Sequence, residues 1–359
     1  MLKKIFSVAL AASLFALQIP TSIVNAAENN SNIKYVFPVK EMKNVKLKKL
    51  DRFYRMEGND PRTLMKNLTM YIHIPNEGEP ELTEKMILAN YSKSADCLAA
   101  GVLAGATDSA ILFIDKDNIS KDIMEYIKEG KPKSIKIVGG ENSISKNLEN
   151  KLNKLGYKTE RIEGKNRYET AVKIGEVIRR YKKSNEIIFA NGNSIADAAA
   201  ATPLGSSKKI PILFTGTDAV PDVVKDAIKR WNIENVIAVG GAKTMPESIL
   251  KSLDVKNILA INAPNRYDAS ATLYDLCYKY EKMTYPNGDA DGASLVNGNH
   301  PEVGFAMTTS KFIFTNGREL TPYTKYIIHK NKVTIFYPMG EEKMLSTKFL
   351  NSISREIVE

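Results

Sequence analysis

The sequence predicts an α/β fold of three tandem Rossmann-like modules, each a short parallel sheet between layers of helices. Three observations carry this prediction. The first is an ungapped echo: Ala89-Asn90, Ala95-Asp96, Ile111-Leu112-Phe113 and Val138-Gly139-Gly140 recur 101 positions later as Ala190-Asn191, Ala196-Asp197, Ile212-Leu213-Phe214 and Val239-Gly240-Gly241. A period near 100 residues is long enough for each copy to bury its own core, unlike a small solenoid unit. The second is that the apolar runs in each copy are continuous rather than alternating, as in parallel strands covered on both faces. The third is that stretches with helical spacing separate these runs, giving the order βαβαβα.

The second copy shows each element most clearly. Arg161 to Lys182 carries Ala171, Ile174, Val177 and Ile178 at helical spacing, which predicts a helix. Glu186 to Ala190 reads as a short strand, Asn191-Gly192-Asn193 as a tight turn, and Ala196 to Leu204 as a small-residue helix able to approach a neighbour closely. A second strand follows at Ile210 to Thr215, then a helix from about Pro221 to Trp231 with proline at its start. The third strand is Val236 to Val239, and Gly240-Gly241 leads to a helix near Pro246.

A third copy is degenerate. Arg167-Tyr168 recurs as Arg266-Tyr267, Asn191-Gly192-Asn193 as Asn297-Gly298-Asn299, and Ile212-Leu213-Phe214-Thr215 as Phe312-Ile313-Phe314-Thr315. The offset changes within this copy, which places an insertion between Glu281 and Leu295. Its stretch Asn287-Gly-Asp289-Ala-Asp291-Gly292 imitates the start of a calcium loop, but the twelfth position is Gly298 rather than glutamate, and an exposed loop is expected.

The amino terminus reads as an export signal. Lys3 and Lys4 precede an apolar run from Ile5 to Leu17 that is too short to span a bilayer, and Val24-Asn25-Ala26 offers small residues for cleavage. The expected organisation is a signal peptide at 1–26, a polar tail at 27–46, and modules at 47–160, 161–260 and 261–359. No other stretch is apolar enough to span a membrane. The formal net charge is +10, and without Lys3 and Lys4 there remain 49 basic against 41 acidic residues. Such an exported chain should associate with something anionic at the cell surface. Nucleic acid is a poor candidate, because the lysines are scattered and no recognised nucleic-acid-binding motif is present. Cys97 and Cys277 fall on apolar helix positions and read as packed thiols, although export would permit a disulfide. His73, His300 and His329 are too dispersed for a metal set, and no cofactor is expected.

Arg161-Ile-Glu-Gly164, Asn166-Arg167-Tyr168-Glu169-Thr170-Ala171, Asn191-Gly192, Ala196-Asp197-Ala198, Pro211-Ile212-Leu213 and Val239-Gly240-Gly241 together resemble the clostridial cell-wall-binding repeat family (type 2). Module one keeps Arg55-Met-Glu-Gly58, Ala95-Asp96, Ile111-Leu112 and Val138-Gly139-Gly140. Module three keeps Asn265-Arg266-Tyr267 and Asn297-Gly298 but has Val303 in place of the aspartate. The resemblance implies three modules packed about a pseudo-threefold axis into a triangular unit. It also implies noncovalent attachment to the wall through an anionic secondary polysaccharide, and a monomer with an internal pseudo-trimer. Many members join this unit to a separate effector.

Candidate site residues follow from these motifs. Asp96 and Asp197 fall in the first turn of a helix, where a carboxylate meets free amides and a favourable dipole; a structural role is expected, with Asp197 paired to Arg167. Gly139-Gly140 and Gly240-Gly241 either close a strand-to-helix turn or present amides to an anion. Pro211, Ile212 and Leu213, like Ile111 and Leu112, read as buried strand; the resemblance places this segment near the meeting of modules and the attachment surface. Arg55, Arg161, Arg167 and Arg266 serve either as clamps between modules or as polymer contacts, since a guanidinium suits carboxylate and phosphate alike. The expected function is noncatalytic wall attachment. The alternatives are an amidase-type peptidoglycan hydrolase or its modifier, and a structural partner of S-layer proteins.

Overall fold

The computed structural model describes residues 24–25, 32–36, 53–72, 84–196, 198–284 and 292–355. The leader other than Val24 and Asn25, Asp197, and the loop carrying Asp289 and Asp291 lie outside the described residues.

Two short strands come first, β1 (Val24–Asn25) and β2 (Ile33–Val36). Module one then contains α1 (Pro61–Ile72), β3 (Lys85–Asn90), α2 (Ser94–Thr107), β4 (Ala110–Ile114), α3 (Lys121–Gly130), β5 (Ser134–Val138) and α4 (Lys146–Lys154). The next strand, β6 (Thr159–Ile162), completes a parallel sheet of order β4-β3-β5-β6. Module two repeats the plan with α5 (Arg167–Tyr181), β7 (Glu186–Asn191), a 3₁₀ segment Ala198–Ala201, α6 (Thr202–Lys208), β8 (Ile212–Thr215), α7 (Asp222–Arg230), β9 (Asn235–Val239), α8 (Glu247–Lys251) and β10 (Asn257–Ile261). Its strands run β8-β7-β9-β10, all parallel. Module three has α9 (Arg266–Thr284), β11 (Gly292–Asn297), a 3₁₀ segment Pro301–Ala306, β12 (Phe312–Thr315), α10 (Pro322–Lys330), β13 (Ile335–Pro338) and α11 (Thr347–Arg355), with sheet order β12-β11-β13.

The fourth strand of each sheet differs from the sequence expectation. Arg161 and Ile162 do not open a helix; they end β6, opposite Ile137 and Val138 of module one. The helix starts at Arg167, where the Asn166 side chain accepts bonds from the amides of Tyr168 and Glu169, both at 3.0 Å. The fourth position in module three is filled from the start of the chain, by parallel bridges Phe53↔Phe336 and Met56↔Met339. The strand completing each sheet therefore leads into the following module, and the strand completing the last leads into the first. Three modules joined in this way form a closed ring.

The polar stretch at 27–46 is not simply a tail. Within it β2 pairs in parallel with β10, while β1, which falls in the expected signal peptide rather than in this stretch, pairs antiparallel with β2. Ile33 is buried, and Asn32 donates its side-chain amide to Val255 O at 2.8 Å. An edge strand offers unpaired amides and carbonyls, and here the chain's own N-terminal segment takes them up.

The modules meet through their small-residue segments. The predicted helix at Ala196 to Leu204 becomes the 3₁₀ segment followed by α6, and packs with α2 and the 3₁₀ segment of module three. Ala198, Ala199 and Ala201 are fully buried. A Cβ on Gly101 would intrude on the Phe305 carbonyl and approach Thr202 Cγ2 to 3.3 Å, so one glycine touches both other modules. One on Gly304 would meet Phe312 Cζ at 2.7 Å and Ala199 Cβ at 3.2 Å. These contacts, one segment from each module, mark the pseudo-threefold axis. Gly101→Val should lower stability by about 1–3 kcal/mol through overpacking, read as a fall in the thermal or urea midpoint; an unchanged midpoint would contradict close packing at the axis.

Candidate functional site: a polar cleft on the axis

The end of the axis reached by the C-termini of the strands is shaped by one buried asparagine in each module. Asn90, Asn191 and Asn297 each close the first strand of their module. Their carbonyl oxygens accept the amide two residues on, from Ser92, Asn193 and Asn299, at 2.8, 2.8 and 2.9 Å. Their amide groups cross to the loop after the third strand, donating to Ser143 O, Thr244 O and Met344 O at 2.5, 2.7 and 2.6 Å. Each asparagine thus pins two loops together. The recurrence of Asn90 as Asn191 in the 101-residue echo, and of Asn191 as Asn297 in the third copy, was the available signal, but a turn-forming reading of Asn191-Gly192 hid the bond to the distant loop.

The glycines after the third strands sit in the left-handed half of backbone space, with φ of 95° at Gly139, 149° at Gly240 and 95° at Gly340. A Cβ at Gly139 would meet Asp96 Oδ2 and the Ser143 side chain at 2.7 Å. Their amides donate to Ile162 O, Ile261 O and Met56 O at 2.9, 3.4 and 2.9 Å, all on the fourth strands. Gly139 and Gly240 therefore commit their N–H groups to the strands that tie modules together rather than to an anion. Gly140 lines the cleft described below, whereas Gly241 would bring a Cβ to 3.5 Å from Ala263 O.

Arginine completes the tie. Arg161 donates from Nη1 to Gly139 O at 2.7 Å, and from Nε and Nη2 to Glu149 Oε2 at 3.1 and 2.9 Å. Both side chains of this ion pair are 8% exposed. Arg55 donates to Gly340 O at 2.6 Å in the equivalent place on module three, with Glu342 at 3.8 Å. Both arginines thus bond the carbonyl of the left-handed glycine after a third strand. At the corresponding position on β10, module two has Ala260. Arg167 and Arg266 act within their own modules: Arg167 donates to Gly192 O and to Asn193 Oδ1, and Arg266 to Gly298 O at 2.6 Å. The guanidinium of Arg167 is thereby turned to the Asn-Gly-Asn turn.

Asp96 lies in the first turn of α2, as expected, but no side chain caps that helix. It is partly buried beside Gly139 and Ser143. Burial raises its pKa above the usual carboxylate value, outweighing the Ser143 hydroxyl and the charges of Lys93 and Arg167. Pro211, Ile212, Leu213, Ile111 and Leu112 are buried strand and strand-entry residues with no exposed face. Cys97 and Cys277 are buried free thiols, and burial pushes both well up. Among the described residues no group of three or more His, Cys, Asp or Glu is placed to hold a metal ion, and no helix is long and apolar enough to cross a membrane.

These loops enclose a cleft of about 980 Å³ open to solvent. Module one contributes Lys93, Asp96 and Ser143, module two Arg167, Asn193 and Ile195, and module three Glu302 and Phe305. Polar groups from three modules converge there at the C-terminal ends of parallel strands, the usual ligand position in open α/β sheets.

The architecture defines the class: a tandem α/β repeat protein closed into a ring by strand exchange. The chain belongs to the cell wall binding domain 2 family, whose model matches residues 55–149 and 161–250. Curated relatives include "N-acetylmuramoyl-L-alanine amidase LytC" of Bacillus subtilis, 27% identical over 279 residues covering 76% of this chain and 53% of that protein. "Amidase enhancer" of the same organism is 30% identical over 279 residues, covering 76% of this chain and 37% of that protein. The chain thus spans about half or less of the length of these relatives. Among solved structures, Cwp6 from Clostridium difficile matches with a TM-score of 0.68 at 19% identity over 94% of this chain and 51% of that one. Cwp8 from the same organism matches at 0.69 and 21% over 85% and 51%. Both share the fold.

Two outcomes test this geometry. Arg161→Ala leaves the buried Glu149 with Lys146 as its remaining cation and should cost about 1–3 kcal/mol in urea unfolding. Burial alone would raise the Glu149 pKa, but bonds and charges from Lys146 and Arg161 hold it below the usual value. Its contribution is therefore present above the ordinary carboxylate range and lost as pH falls through the lowered folded value. Asp96 has the opposite sign: its raised folded value makes stability fall as pH rises from the ordinary carboxylate pKa through the folded one. Asp96→Asn should raise the thermal midpoint at pH 7, with the gain vanishing below about pH 4.

Proposed function

We propose that this chain is an exported, noncatalytic wall-binding unit that attaches noncovalently to an anionic secondary polysaccharide through its three modules. The observation that carries this reading is what the two curated relatives have in common. Each aligns over 279 residues, although one is named an amidase and the other an amidase enhancer. A segment common to proteins with different named tasks is better explained by a shared location, the wall, than by either task. The family match over modules one and two supports the same reading.

The cleft suits the sugar portion of such a polymer. The Asp96 and Glu302 carboxylates accept bonds from sugar hydroxyls, and the Asn193 side chain can accept or donate. Repeated weak contacts on one rigid ring gain strength through effective concentration. The proposed organisation remains a signal peptide at 1–26, with modules beginning near 47, 161 and 261, and the chain acting as a monomer.

A second reading, an amidase or its modifier, is favoured by the names of the same relatives. A third, docking on S-layer proteins, follows from the surface location that wall binding implies. Purified mature protein should be retained on intact walls, elute as ionic strength rises or pH is lowered, and lose retention on walls stripped of secondary polymer. Undiminished retention on stripped walls overturns the polymer reading. A lytic band in a peptidoglycan zymogram overturns the noncatalytic one, and cell-surface crosslinking to an S-layer protein without polymer dependence favours the third.

A further inference from the structure

The positive charge of the ring gathers at the end of the axis away from the cleft. Parallel strands joined through helices require each helix to run back against the strands, so helix C-termini and the connections into the strands share one end. Neighbouring connections are bonded there: Lys133 N–H donates to Glu84 O at 2.9 Å, Glu234 N–H to Asn185 O at 2.8 Å, and Asn257 N–H to Glu234 O at 2.9 Å. Helix α2 spans the distance, with Asp96 at the cleft and Asp108 at the far end, 3.8 Å from Lys209. Lys131, Lys154, Lys158, Lys183, Lys229 and Lys332 are exposed on this far end, and none is in an ion pair among the described residues. The cleft, in contrast, sets Lys93, Lys165 and Arg167 against Asp96, Glu141, Glu163 and Glu302, with no positive excess.

Helix dipoles explain part of this pattern, because lysines in a last helical turn are stabilised by it. They do not explain the backbone conformation of Lys131 and Lys332. These residues follow α3 and α10 with φ of 43° and 51°, in the left-handed conformation that disfavours a lysine side chain. At the corresponding cap after α7, module two uses Asn232 at φ 50°, a residue that adopts this conformation more readily. Modules one and three therefore place lysine where a less strained choice exists and is used by their neighbour. The strain and the exposure together point to a ligand for these charges.

We infer that the far end of the ring is a second docking face, which takes the repeated negative charge of a linear polyanion while the cleft takes its sugar. This inference rests on the wall-polymer reading and divides its labour between two ends of one body. A linear polymer of phosphate or carboxylate groups fits lysines spread over three modules, because each contact adds charge pairing and releases counterions.

The test compares wild type with Lys131→Asn/Lys332→Asn and with Lys121→Gln/Lys225→Gln, which removes equal charge from other helical sites. The probes are inorganic polyphosphate, walls carrying secondary polymer, and phosphatidylglycerol vesicles. The far-end variant should keep or raise its melting midpoint, bind polyphosphate and walls about tenfold more weakly at low salt, and show a shallower salt dependence. The control variant should bind both as wild type does. Equal losses in both variants, no loss in the far-end variant, or wild-type binding to vesicles but not to walls each overturns the inference. If wild type is retained on walls while the far-end variant is unaffected, the wall-polymer reading stands and only the far face fails. If wild type does not bind polymer-bearing walls, both fall together.

Discussion

Close approach along the axis is the constraint on which the rest of the structure depends. Gly101, Ala199 and Gly304 let backbones from three modules come within contact distance, and larger side chains there would hold the modules apart. Because α2 and its counterparts pack at the axis, the loops after the first strands converge and the cleft exists at all. The same packing fixes the far end, since each module is rigid from strand start to strand end. Both faces of the ring are consequences of one column of small residues.

Strand exchange adds a second layer to that packing. The bonds from Gly139, Gly240 and Gly340 amides to the fourth strands, and those from Arg161 and Arg55, bind each sheet to the chain of its neighbour. A buried pair such as Arg161 with Glu149 contributes less through net attraction than through the cost of separating it, so it favours register and orientation over raw stability. The middle junction has no such arginine; instead β2 covers the edge of β10. Different devices secure equivalent positions.

Much of the fold was legible because it is repeated. The echo exposed the core strands, the Asn-Gly turns and the left-handed glycines, and alanine density at Ala198 to Ala201 pointed to close packing. The fourth strands were not legible. Arg161-Ile-Glu-Gly164 is short and adjoins a strongly periodic helix, so local pattern merged the two, although the partner strand lies in another module. The polar composition around Ile33 concealed β2 for a similar reason: edge pairing needs backbone groups more than apolar side chains. The arginines could be located but not assigned, because a guanidinium suits a carbonyl, a carboxylate and a phosphate equally well until its neighbours are known. The concentration of lysines at one end was invisible while they appeared merely scattered along the chain.

The bridge between Phe53 and Phe336 has a consequence for how such a chain can grow. A solenoid ends in exposed repeats and can lengthen by one unit at a time. A ring has no terminal repeat. Inserting a fourth copy would have to break this bridge and reopen the packing around Gly101, so a partly enlarged form has nowhere to place its extra sheet edge. The count of three is therefore set by closure, and new capability enters by altering what the modules carry rather than how many there are.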